Sequence, residues 1–211
     1  PAAADETPPR PGDYALWFAL SALASVTLLS VSNHITQNVA SIPFLWVLPL
    51  TLYLLTFVLV FEGRGGRGYY VRALWLAPVL CALGVMAWGL SANRGLLRIS
   101  IAVPVYCIGL FLTCMFCHGE LAAGKPATRY LTRFYLMMSV GGAAGGMFVG
   151  LLAPRIFSSY LEMPLGLLAC ALLAFVVTRH HLGQRPRGVR AIAWTLAPLS
   201  ALLATGFCGY Y

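Results

Sequence analysis

The sequence predicts an all-α membrane protein, built as a polytopic bundle of about seven transmembrane helices. Hydrophobic residues make up 60% of the 211 residues and charged residues only 9%, far below the roughly 25% that is usual for soluble domains. A hydrocarbon core about 30 Å thick is crossed by a helix of roughly 20 apolar residues, and the chain contains such runs repeatedly. The runs are continuously apolar and lack the alternation that a β-barrel wall requires. We therefore expect lipid to surround most side chains.

The predicted spans follow one another with short connections. They are residues 14–33, 42–61, 73–92, 96–117, 134–153, 157–178 and 191–209. The sixth is the weakest, because Glu162 lies within it unless the helix starts at Met163 and is short. Pro43 and Pro49 in the second span and Pro104 in the fourth predict bends in those helices.

Residues 1–13 are predicted to be a flexible, Pro-rich and acidic tail or linker, and residues 14–211 form the helical domain. The chain begins at Pro1 without an initiator Met. We therefore expect either a processed precursor or a part of a longer protein.

Basic residues predict the orientation of the chain. When the connections are assigned alternately to two sides, eleven Arg and Lys residues fall on one side, and only Arg94, Arg98 and Arg155 fall on the other. Basic connections stay on the cytoplasmic side, which predicts a multi-pass protein of the bacterial inner membrane with a cytoplasmic N-terminus. The net charge of +8 is explained in this way, so nucleic acid is not an expected partner. The tryptophans agree with this assignment, since all lie near predicted span ends.

The fifth span carries a run of small residues. Gly141 and Gly145 lie one turn apart on a helix, and Gly142, Gly146 and Gly150 form a second row beside them. Such faces let another helix approach closely, so we predict helix packing here, against this chain or another. A phosphate-binding loop is not indicated, because no strand precedes the run and no Lys-Ser/Thr follows it.

The most distinctive motif is Cys-x-x-Cys-His at Cys114, Cys117 and His118. This is the pattern of c-type haem attachment, in which two thiols add to vinyl groups and the histidine binds iron. A second interpretation is a zinc or copper(I) site that includes Glu120. A third is structural, with buried apolar cysteines and a polar helix end formed by His118 and Glu120. The basic residues place this end on the cytoplasmic side, opposite to where c-type haem is attached. The remaining cysteines are predicted to be packing residues: Cys81, Cys107, Cys170 and Cys208.

Polar residues at span ends are the remaining candidates. His34 and Gln37 belong to an uncharged turn between the first two spans, which either lines a solute entrance or satisfies exposed backbone groups. Glu162 is costly beside hydrocarbon unless it is paired, and Arg155 on the same connection is its expected partner.

Several stretches resemble a known family. They are Asn33-His-Ile-Thr-Gln-Asn and the residues that follow it, Cys114-Met-Phe-Cys-His-Gly-Glu-Leu, and the glycine run from residue 141 to 146. Together they are similar to the membrane part of bacterial spermidine-synthase-like proteins, in which facilitator-like helices are fused to a synthase domain. The similarity covers most of residues 19–168. Family members carry further helices before this region and a soluble Rossmann-like synthase domain after it, which this sequence lacks, so aminopropyl transfer is not expected of this chain alone.

Two functions follow as hypotheses. The first is a non-catalytic membrane module that packs against other membrane subunits or is transport-like. The alternative is a membrane-bound c-type cytochrome subunit that transfers electrons through haem c held by Cys114, Cys117 and His118.

Overall fold

The computed structural model describes residues 8–39, 44–62, 70–92, 99–157 and 161–182. About 90% of the structure is helical, and the described residues contain no strand, which confirms the all-α prediction. The helices are α1 (Pro11–His34), α2 (Val47–Phe61), α3 (Arg72–Ala92), α4 (Ile99–Ala123), α5 (Leu131–Met147) and α6 (Glu162–Leu182). The seventh predicted span and the first half of the predicted tail lie outside the described residues.

Three helical stretches are long and apolar enough to cross a membrane: Pro11–Gln37, Ser100–Ala123 and Thr128–Ile156. Two of them contain π-helical turns, which extend α1 through Ile35–Val39 and α5 through Phe148–Leu152. Shorter apolar helices accompany them: Val47–Phe61, Leu74–Leu90 and Glu162–Val177. The described residues therefore agree with a membrane protein, whereas the predicted number of seven spans is not established by them.

Three local predictions need correction. Helix α4 continues to Ala123, so the Cys-x-x-Cys-His motif lies within the helix and not at its end. Helix α6 begins at Glu162 and not at residue 157, which places the carboxylate in the first turn, where the helix dipole favours a negative charge. Pro49 lies in the first turn of α2, where no intrahelical N–H is needed, so it does not require the predicted bend.

Helix α4 packs against α1, α2 and α3, while α1 also packs against α5 and α6. The indole nitrogen of Trp17 donates a hydrogen bond to the Gly124 carbonyl over 3.2 Å, so α1 begins where α4 ends. The rings of Trp17 and Phe134 meet edge to face, 5.1 Å apart, which brings the start of α5 to the same end. Helices α1 and α5 therefore run parallel to each other and antiparallel to α4.

Many large apolar side chains face outward from the bundle. Leu136 is 60% exposed, Met147 61% and Ile108 59%, and only 22% of the most apolar window of the long α5 stretch is buried, against 56% for α4. Such a surface is costly in water but not in hydrocarbon. The exposed faces fit a protein surrounded by lipid.

Candidate functional site: the 114–120 segment of α4

The residues from 114 to 120 form about two turns of α4, and all of them are buried. Cys114 is 0% exposed, Cys117 1% and His118 2%. A helix that is buried on every side must contact a neighbour on every side. The question is therefore what each polar group of the segment contacts.

Cys117 connects α4 to α6. Its thiol is a close neighbour of the Cys170 thiol, and both are buried. The Cys170 sulfur lies 3.6 Å from the Thr27 hydroxyl oxygen on α1. The single Thr27 hydroxyl proton is already donated to the Leu23 carbonyl, over 2.8 Å. Because a hydroxyl has only one proton to donate, the Cys170 thiol is the donor to Thr27. These contacts thus run from α4 through α6 to α1.

His118 connects α4 to α2. Its Nδ1 lies 3.0 Å from the Thr56 hydroxyl oxygen, and that hydroxyl donates to the Tyr53 carbonyl over 2.7 Å. Because the Thr56 hydroxyl has already donated its only proton, the Nδ1–H of His118 must be the donor to Thr56. The rings of Tyr53 and Phe57 meet the imidazole edge to face, at 4.9 and 5.4 Å. The imidazole is therefore held by three residues of one helix.

Glu120 connects α4 to the start of α3. Arg72 makes a two-pronged hydrogen-bonded ion pair with its two carboxylate oxygens, and the Tyr70 hydroxyl donates to Oε1 over 2.6 Å. The Glu120 side chain is 2% exposed and that of Arg72 29%, so this pair is largely withdrawn from solvent. Burial, followed by the neighbouring Glu120 charge, raises the pKa of Tyr70, which keeps the phenol protonated as a donor.

Gly119, between His118 and Glu120, has to be a residue without a side chain. A Cβ at this position would overlap the ring of Tyr70. The absence of a side chain lets the phenol ring lie flat against α4 and reach the carboxylate of Glu120.

This packing does not fit haem c or a metal ion. Both thiols and the imidazole are enclosed by α1, α2 and α6, and a porphyrin could reach them only by separating these helices. Glu120 is the predicted fourth metal ligand, but both of its carboxylate oxygens already accept hydrogen bonds from Arg72 or Tyr70. Among the described residues, no three His, Cys, Asp or Glu side chains are arranged to hold a metal ion.

The glycine face packs within this chain. A Cβ on Gly141 would lie 2.5 Å from the Phe18 carbonyl oxygen, and one on Gly145 would overlap the carbonyl of Ala22. Ser21, between these α1 residues, donates its hydroxyl proton to a carbonyl of α5 over 2.6 Å. Helices α1 and α5 are therefore in backbone contact, as small residues allow in membranes.

The second glycine row makes weaker contacts. A Cβ on Gly142 would meet serine hydroxyls at 3.4 Å, one on Gly146 would meet Leu29 at 3.8 Å, and one on Gly150 would meet nothing within 4 Å. Of the five predicted packing glycines, the first row therefore carries the close approach.

The polar residues at span ends do not converge on one site. His34 lies edge to face with Tyr106, 4.5 Å between centroids, and Gln37 is exposed in the π turn after α1. Arg155 is exposed and donates to the Leu151 carbonyl over 2.8 Å. In the described part of the chain it forms no ion pair with Glu162, which is 8% exposed.

Sequence reasoning missed the partners of the segment. Arg72 could have been found, because the charge assignment places it on the same side of the membrane as Glu120. Cys170 and Thr56 carry no signal of this kind, since both look like ordinary residues of apolar helices.

The chain matches no protein family, and no curated protein or solved structure shows significant similarity to it. The function therefore has to be argued from the site itself.

Proposed function

We propose that this chain is a non-catalytic, multi-pass module of the bacterial inner membrane, in which the 114–120 segment fastens the helices of the bundle together. Its partners are lipid and other membrane subunits. The resemblance of residues 19–168 to the membrane part of spermidine-synthase-like proteins supports a module that works beside a catalytic domain.

One observation carries the proposal. Three reactive groups of the segment contact other helices: Cys117 contacts α6, His118 contacts α2, and Glu120 contacts the start of α3. The fourth, the Cys114 thiol, is 0% exposed. A catalytic or electron-transferring site needs at least one group that can meet a substrate or cofactor. Groups that are enclosed between helices in this way serve packing instead.

The orientation is supported by where the basic residues lie. The start of α1, the end of α4 and the start of α5 share one end of the bundle, and that end carries Arg10, Lys125, Arg129 and Arg133. Arg155 lies near the end of α5, at the opposite end of the bundle. A cytoplasmic N-terminus follows from the preference of basic residues for that side.

The test replaces both thiols. The double variant C114A/C117A keeps small apolar side chains at both positions, so we expect it to accumulate in membranes and to elute from a sizing column in detergent at the wild-type position. The over-packed variant C117L is the matched control, and we expect it to lose about 1–3 kcal/mol of stability. Visible absorption spectra of the wild type and C114A/C117A should be the same. A covalent haem band in the wild type that disappears in C114A/C117A would establish the cytochrome alternative in place of this proposal.

A further inference from the structure

An open cleft of about 730 Å³ lies at the end of the bundle where α1 begins and α4 ends. Its volume is within the range of small-molecule sites, roughly 300–1,000 Å³. The walls come from α1 and from the connection between α4 and α5, and include Arg10, Asp13, Trp17, Gly124, Lys125 and Pro126.

The cleft is cationic. Arg10 and Lys125 are both exposed, and neither forms an ion pair with another described residue. Asp13 is the acid in the lining, and its carboxylate accepts the backbone N–H of Arg10 over 2.7 Å. That bond caps the first turn of α1. With two basic residues and one acidic residue, the lining has a formal charge of +1. Two cations from separate elements thus remain facing one cavity.

The cleft also lies at the level of the membrane interface. Trp17, at its base, belongs to the first turns of α1 and bonds through its indole to the Gly124 carbonyl. Tryptophan with one apolar side and one hydrogen-bonded edge is typical of the boundary between hydrocarbon and headgroups. Phosphate diesters of lipids are concentrated at this depth, and Pro126 in the lining offers an apolar contact for the glycerol that bears them.

We propose that this cleft binds the headgroup phosphate of an anionic phospholipid, held between Arg10 and Lys125. Basic side chains attract anionic lipids at short range, and two of them in one cleft favour a phosphate over a neutral group. This site is separate from the packing role of the 114–120 segment and does not depend on it.

The test is native mass spectrometry of the full chain in detergent, titrated with phosphatidylglycerol, with phosphatidylcholine and with glycerol phosphate. The variants are R10Q and K125Q, with R155Q as the control, because Arg155 is equally exposed but lies at the other end of the bundle. We expect each cleft variant to bind phosphatidylglycerol about fivefold more weakly than the wild type, and the double variant about 25-fold more weakly. R155Q should bind as the wild type does.

Other results would overturn the proposal. If R10Q and K125Q bind phosphatidylglycerol as tightly as R155Q does, the cleft holds no lipid headgroup. If phosphatidylcholine binds as tightly as phosphatidylglycerol, the contact is not selective for anionic lipid. If glycerol phosphate binds as tightly as the lipid and is lost in the same variants, the cleft is a site for a soluble anion.

Discussion

Removing Arg72 should destabilise the bundle strongly, because it leaves the buried carboxylate of Glu120 without its counter-charge. The side chain of Glu120 is 2% exposed, and breaking a buried pair by removing one partner costs about 3–5 kcal/mol. Arg72 is 29% exposed, so some water reaches the pair and screens it. We therefore expect the lower end, about 3 kcal/mol for R72M. For a chain of this size that corresponds to a fall in Tm of roughly 6–12 °C.

The reciprocal change should cost less. In E120Q the amide oxygen still accepts the Tyr70 hydroxyl, and Arg72 can turn toward water, so about 1–2 kcal/mol is expected. The double variant R72M/E120Q contains no stranded charge and should cost no more than R72M alone. The two substitutions are therefore predicted to be coupled by about 2 kcal/mol.

The measurement is equilibrium unfolding in mixed micelles with increasing dodecyl sulfate, followed by tryptophan fluorescence. R155M, which removes an exposed arginine whose side chain bonds only its own helix in the described chain, serves as the control and should change stability by less than about 0.5 kcal/mol. The reasoning is refuted if R72M stays within about 1 kcal/mol of the wild type, or if the costs of R72M and E120Q simply add.

The remaining predictions concern the other contacts of the bundle. G145A should lower the stability by about 1–3 kcal/mol, because the new methyl group meets backbone that cannot move aside. G150A, whose methyl group would meet nothing within 4 Å, should stay within about 0.5 kcal/mol of the wild type. Equal losses of stability in a thermal melt would contradict the glycine assignment. T56V should cost about 1–3 kcal/mol because it strands the buried imidazole donor, and T51V, which loses only an exposed bond to its own helix, should be neutral in the same melt. Burial raises the pKa of Tyr70. The contribution of Tyr70 to the stability of the fold is therefore complete below the ordinary tyrosine pKa of about 10, and it is lost as pH rises above that value. Unfolding measured from pH 8 to 11 should show this alkaline loss in the wild type and less of it in Y70F; identical slopes would count against the buried phenol.

The fold class could be predicted from composition because lipid imposes a simple rule. A chain with 9% charged residues and repeated apolar runs is expected to be stable as a bundle of helices surrounded by lipid. Helix ends were harder to place, since His118 and Glu120 suggested that α4 ends at the motif. Both residues find partners inside the bundle, so the helix continues to Ala123. Polarity marks a helix end only when the polar group has no internal partner.

The close-packing glycines could be predicted only as a group. The spacing of Gly141 with Gly145 is the same as that of Gly142 with Gly146, and helical periodicity treats the two rows alike. The choice between them depends on the partner, because the backbone of α1 at Phe18 and Ala22 approaches the first row only. That partner surface is a tertiary property, which the periodicity of one helix does not contain.

The chemistry of the motif was the least predictable part. A Cys-x-x-Cys-His pattern indicates haem or metal when its side chains are accessible, and the sequence gives no measure of enclosure. What decides the assignment is the set of residues from other helices, Cys170 and Thr56 among them, that engage its polar groups. Such contacts join residues about fifty or more positions apart and leave no local pattern.

The most direct test of the account is peptide mass spectrometry of the full chain after oxidation with molecular iodine in its native membrane, before any detergent is added. The neighbouring thiols of α4 and α6 should give a disulfide-linked peptide pair containing Cys117 and Cys170, with Cys114 outside the cross-link. Detection of Cys114 and Cys117 joined to haem through thioether bonds, or of Cys117 without any link to Cys170, would contradict the packing role assigned to the segment.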